Sequence, residues 1–126
     1  MVRKISRDEL LEMCKKGRKF TLVDVLGKDS YEEEHIPGSL SMPLDVLEQE
    51  ADRLLDKNET IVVYCASFIC TASTTAAHKL AEMGFKNVLD YKGGLKDYKE
   101  AGLALQGSRH EHKACASCCA CGYELV

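Results

Sequence analysis

The chain has 126 residues, 45% of them hydrophobic and 29% charged, with a formal net charge of -3. That length suits one domain with its own core and nearly excludes two, while the apolar content is too high for a disordered chain. The negative charge excludes the broad basic field of a general nucleic-acid binder, and no apolar run nears the roughly 20 residues of a membrane span.

The basic, polar start MVRKISRDELLE has no apolar stretch of the kind that directs secretion. The expectation is a soluble, cytoplasmic protein with neither nucleic acid nor membrane as partner. Ser6 with Glu9 makes a capping box, which predicts a helix through Leu10, Leu11 and Met13 that stops at Gly17. Residues 20–26 read as a strand, followed by the loop GKDS. Ser30 with Glu33 repeats the capping pattern and predicts a short helix over YEEEH, ended by Pro37 and Gly38. After Pro43, the residues Leu44, Val46, Leu47, Ala51, Leu54 and Leu55 mark one face of a second amphipathic helix, closed near Asn58.

The run TIVVY from Thr60 to Tyr64 is almost wholly apolar and β-branched, as in a strand covered on both faces of a parallel sheet. A helix is predicted from about Ala72 to Met83, closed by Gly84, then a strand over 87–91. Gly93 and Gly94 form a turn, and LKDYKEA is a last helix ending at Gly102. Strands separated by helices predict an α/β domain, a central parallel sheet with helices on both faces. The pattern stops after Gly107, so the expected organisation is a domain over 1–107 and a Cys/His-rich tail over 108–126.

Seven cysteines are an odd number, and their spacing is not that of a disulfide framework. Cys14 falls on an amphipathic helix pattern and reads as a small buried hydrophobe. Cys65 stands where open parallel sheets bind ligands, just after a strand and just before a helix. Backbone N–H groups and the helix dipole at such a place favour a thiolate. The plain alternative is a buried strand-end cysteine without chemistry.

Tyr31-Glu32-Glu33-Glu34-His35-Ile36-Pro37-Gly38-Ser39 resembles the first signature of the rhodanese family, and Val23-Asp24-Val25 its strand-Asp element. Val63-Tyr64-Cys65, with a loop and an Ala-rich helix behind it, resembles the family's active-site segment. Lys92-Gly93-Gly94-Leu95-Lys96-Asp97-Tyr98 through Ala101-Gly102-Leu103 is similar to its closing Gly-Gly helix, with Tyr98 where an aromatic residue, usually Trp, is expected. These elements stand in register over residues 3 to 107. The resemblance implies a single-domain rhodanese-like fold and a sulfurtransferase in which Cys65 attacks the outer sulfur of a donor, holds it as a persulfide, and passes it to a nucleophilic acceptor. It further implies that Ala66, Ser67, Phe68, Ile69, Cys70 and Thr71 cradle the persulfide anion through backbone N–H groups. The partners expected are a small-molecule or protein sulfur donor and a thiol acceptor, with no cofactor required. His35 and Asp24 are read as fold elements rather than as catalytic groups.

The loop also departs from the family pattern. A Cys, four residues and then Arg is the usual form, whereas CASFICTAS places Cys70 where that Arg is expected, contains no Gly, and is longer. Leu26 stands where many members carry an Arg. No Arg or Lys lies between Cys65 and His78, which leaves backbone donors and the hydroxyls of Ser67, Thr71 and Ser73 for an anion. Thiosulfate, without a bidentate cationic partner, is therefore expected to be a poor donor, and polysulfides or persulfides better ones. The longer loop also resembles that of rhodanese-fold phosphatases and arsenate reductases, but their Arg is absent. Cys70 reads either as a cysteine that resolves a Cys65 persulfide or sulfenate into a disulfide, or as a small filler at the helix start.

In the tail, Cys115, Cys118, Cys119 and Cys121 gather soft ligands suited to Zn or Cu(I). A dithiol arm serving Cys65, and a tail with no chemistry, are the other readings. For the whole chain the alternatives are a non-catalytic regulatory or scaffold module of the same fold, and a metal-handling protein acting through the tail. Donor, acceptor and oligomeric state stay open.

Overall fold

The computed structural model describes residues 2–108. The expected tail, with Cys115, Cys118, Cys119 and Cys121, lies outside the described residues. Within them the chain runs β1 (Val2–Ile5), α1 (Arg7–Lys15), β2 (Thr21–Asp24), α2 (Lys28–Glu33), β3 (Leu40–Ser41), a 3₁₀ turn (Leu44–Val46), α3 (Leu47–Leu54), β4 (Thr60–Tyr64), α4 (Ala72–Glu82), β5 (Asn87–Tyr91) and α5 (Gly94–Glu100). All strand pairings are parallel, in the order β1-β5-β4-β2-β3. This is the α/β architecture expected, with β4 at the centre.

Alternation along the strands sends side chains to two apolar layers. Leu22, Val62, Tyr64, Leu89 and Tyr91 pack with Leu10 and Met13 of α1 and Tyr98 of α5. Val23, Ile61, Val63 and Val88 pack with Leu47 and Ala51 of α3 and Ala76, Ala77 and Leu80 of α4. Cys65 continues the alternation of β4 into this second layer. Cys14 is buried in α1.

The capping box at Ser6 is present: its hydroxyl accepts from Glu9 N–H at 3.2 Å, and Glu9 accepts from Ser6 N–H at 2.9 Å. The second box is not. Helix α2 starts earlier, after Gly27, so Ser30 lies inside it and caps nothing. Strands β1 and β3 carry no sequence signal because they are short edge strands, and β1 includes Arg3 and Lys4 in place of apolar residues. No helix among the described residues is long and apolar enough to cross a membrane.

Candidate active site

Cys65 leaves the carboxyl end of the central strand fully buried. Its backbone is held from the side by the start of α5: Leu95 N–H donates to the Cys65 carbonyl at 2.9 Å and Lys96 N–H to that of Ala66 at 2.8 Å. Gly94 makes this approach possible. Its φ is +66°, and a Cβ there would overlap the Cys65 carbonyl oxygen. Only glycine meets both conditions.

The loop above Cys65 folds as a turn closed by Cys70 N–H donating to the Ser67 carbonyl at 3.1 Å. Phe68 and Ile69 at its tip are 63% and 91% exposed, so little packing holds the tip. The Cys65 thiol points under this turn. It lies 3.4 Å from the Cys70 carbonyl, 3.5 Å from Ser73 Oγ and 3.9 Å from the Ser67 carbonyl. The two carbonyls favour a protonated thiol, and of the three hydroxyls considered above, Ser73 is the one bonded to the Cys65 sulfur.

That geometry corrects the expectation of a stabilised Cys65 thiolate. Burial pushes the Cys65 thiol up, and its hydrogen bond with the Cys70 thiol adds to this, against the opposing donors of Ser73. Cys70 moves the other way. Burial raises it, but the hydrogen bond from Cys65, the N–H groups of Ala66 and Ala72, and the Lys92 charge together bring it below the usual thiol range. Of the first N–H groups of α4, that of Ala72 lowers Cys70 and that of Ser73 lowers Cys65. The neighbouring thiols are thus pushed in opposite directions, Cys65 up and Cys70 down.

The loop's own residues supply no cation, but Lys92 does so from outside it. Its Nζ donates to the Cys70 carbonyl at 2.8 Å. Sequence reasoning passed over this residue. The signal was present in the pairing of β4 with β5, where Tyr64 stands opposite Tyr91, which puts Lys92 level with Cys65. A shallow hollow beside the loop is lined by Lys4, Arg7, Phe68, Lys92 and Asp97 among others. Arg7 is paired there with Asp97 at 3.0 Å, and Asp97 also accepts from Tyr91 OH at 2.7 Å.

His35 and Asp24 sit behind the site, in the frame. The His35 ring stacks on Tyr31 with centroids 3.8 Å apart, and its Nδ1 is 2.6 Å from the Tyr31 carbonyl. Its backbone pairs with Gln106 in both directions. Asp24 Oδ2 accepts from Tyr64 OH at 2.8 Å and Oδ1 from Leu26 N–H at 2.9 Å. The Tyr64 oxygen in turn accepts from Ile36 N–H at 3.0 Å and lies 3.1 Å from Ser39 Oγ. Burial holds the Asp24 carboxyl above the usual carboxylate range despite the two donors. The residue before Cys65 is thereby tied to the His35–Ser39 turn. Among the described residues no group of three or more His, Cys, Asp or Glu is placed to hold a metal ion.

Comparison with known proteins bears on the family and the fold. Residues 6–101 match the family model described as a rhodanese-like domain. The chain is 37% identical over 99 residues to the thiosulfate sulfurtransferase GlpE of Coxiella burnetii, covering 79% of this chain and 89% of that protein. It is 40% identical over 76 residues to the thiosulfate sulfurtransferase PspE of Escherichia coli, covering 60% and 70%. The rhodanese-like domain of the Alr3790 protein from Anabaena superposes with a TM-score of 0.78 at 30% identity, over 91% of this chain and 89% of that one. With its fold, its signature segments and these relatives in agreement, the chain belongs to the rhodanese-like family as a single domain of it.

Proposed function

We propose that the protein moves sulfane sulfur through a persulfide on Cys65 to a thiol acceptor, and that polysulfides and persulfides serve it better as donors than thiosulfate does. The observation that carries this reading is the position of Cys65: at the carboxyl end of the central strand, clamped by α5, and facing the start of α4. Relatives named thiosulfate sulfurtransferases support the reaction class. In the loading step the Cys65 sulfur attacks the outer sulfur of the donor, the donor's S–S bond breaks, and the remainder leaves as a thiol or a shorter polysulfide that takes up the proton Cys65 gives up. The transferred sulfur needs room beneath the turn, so the exposed tip at Phe68 and Ile69 has to lift. Ala66, Cys70 and Thr71 complete that turn with Ser67, and the N–H groups of Ala66, Ala72 and Ser73 are the donors within its reach.

Donor preference follows from charge. Lys92 is a single ammonium already engaged by the Cys70 carbonyl, and it offers no fork for a dianion. The cytoplasmic setting expected from the sequence suits a reduced thiol pair. Intact-protein and peptide mass spectrometry after exposure to polysulfide tests the reading. We expect the peptide spanning residues 58–79 to gain about 32 Da, and Cys65→Ser to remove both that gain and transfer to any acceptor. Undiminished turnover by the variant overturns it.

A further inference from the structure

We infer a second activity at the same site: Cys70 attacks the persulfide on Cys65 and discharges its outer sulfur as hydrogen sulfide, leaving a Cys65–Cys70 disulfide. The inference rests on the proposed function, because Cys65 must first be loaded.

Three independent observations point to it. The Cys65 sulfur lies 3.4 Å from the Cys70 carbonyl, so the receiving sulfur already sits against the residue that attacks it. Cys65 is fully buried, whereas Cys70 is part-exposed on the covering turn. An acceptor from solution has to displace that turn to reach the sulfur, while Cys70 is part of it, which favours the intramolecular route. Finally, Cys70 has the polar support an attacking thiolate needs. The Lys92 ammonium binds its carbonyl at 2.8 Å, which holds a positive charge beside the attacking thiol. Both thiols are free in the structure, so the centre stands in its reduced form.

The step balances as a thiol–disulfide exchange. The Cys70 thiolate forms a bond to the inner sulfur, that of Cys65, and the bond between inner and outer sulfur breaks. The outer sulfur leaves as hydrosulfide and takes up the proton that Cys70 gave up. The sulfane sulfur gains two electrons, and the two cysteine thiols supply them in becoming a disulfide. An external dithiol returns the centre to its starting state by two further exchanges and is itself oxidised to a disulfide. Attack on the outer sulfur would instead move the persulfide to Cys70 with no oxidation, so the two routes leave different products.

The peptide spanning residues 58–79 contains Cys65 and Cys70 and no other cysteine, which isolates the pair from the remaining thiols of the full chain. The reduced protein, freed of reductant under anaerobic conditions, is given one equivalent of inorganic polysulfide and sampled over time after alkylation. With the mass of the alkyl groups subtracted, we expect this peptide to appear first about 32 Da heavier and then about 2 Da lighter than the dithiol form, with one hydrogen sulfide released for each disulfide formed. In Cys70→Ser the heavy form should persist at least tenfold longer. A disulfide without hydrogen sulfide, a persulfide mapped to Cys70, or a wild-type persulfide as long-lived as that of the variant overturns the inference while leaving sulfur transfer standing. Failure of the wild-type peptide to gain mass overturns both readings. If the variant does not load, the order of the two forms and the hydrogen sulfide yield in the wild type still decide.

Discussion

Ala72 and Ser73 open α4 with adjacent backbone N–H groups, the first lowering the Cys70 thiol and the second opposing the rise of Cys65. A helix start that could have held one strongly depressed thiolate therefore holds a graded pair, in which the part-exposed member is the lowered one. Limited alkylation at pH 7 should label Cys70 before Cys65, since the thiolate is the reacting form and Cys65 is also covered. Fragmentation of the peptide spanning residues 58–79 reads the order, and labelling of Cys65 first would contradict the assignment. Lys92 makes a second prediction at this scale. Its ammonium is the cation bonded to the rim of the loop, so Lys92→Met should lower kcat/KM for thiosulfate about tenfold, as for loss of one charged hydrogen bond. Polysulfide turnover should fall less than threefold. Equal loss with both donors would mean that Lys92 supports the turn rather than the donor's charge. The position of Cys65 and the extent of its loop were readable directly from the strand TIVVY and the Ala-rich helix behind it. The role of Lys92 was not, because it depends on how two strands pair and not on spacing along the chain.

At the scale of elements, the clamp between α5 and the end of β4 sets the site. Gly94→Ala forces a side chain into the left-handed region and into the Cys65 carbonyl, and it should cost about 1–3 kcal/mol of stability from the backbone conformation alone. Sulfur transfer should fall further than stability does, because Leu95 N–H and Lys96 N–H lose their hold on the Cys65–Ala66 backbone. Urea unfolding and single-turnover loading of the same variant separate the two effects. A variant that is destabilised but loads at the wild-type rate would show that the clamp serves the fold alone. The elements that sequence patterns located well were those with dense apolar periodicity, such as α1, β4, α4 and β5. The start of α2 was misplaced because Ser30 and Glu33 have the right spacing for a cap, while Gly27 supplies an extended residue three positions earlier. Spacing alone does not choose between two such starts.

For the molecule as a whole, Asp24 links folding to pH. Between the ordinary carboxyl value of 3.8 and its raised value in the fold, the native protein keeps a proton that the unfolded chain has released. Stability contributed at this residue is therefore highest at low pH and declines as pH rises through that window, by at most about 1.4 kcal/mol per pH unit. Asp24→Asn should remove that decline. Urea midpoints from pH 4 to 7 should show a shallower fall for the variant than for the wild type, and parallel profiles would assign the pH dependence elsewhere. The parallel α/β class was legible because helices separate every predicted strand. The order of strands was not, since it places the first strand beside the last, a pairing with no local trace.

That pairing has a consequence for how the protein comes into being. As the chain emerges from the ribosome, β1 has no neighbour until β5 is made, and β4 lacks one of its two partners for the same interval. Cys65 emerges about thirty residues before the α5 groups that grip its carbonyl, a delay of some seconds at ordinary rates of synthesis. During that time a thiol that ends up fully covered is open to oxidants and to other thiols. In the finished domain the turn and α4 cover the sulfur while α5 fixes the backbone that carries it, so the nascent chain is more vulnerable at Cys65 than the folded protein ever is.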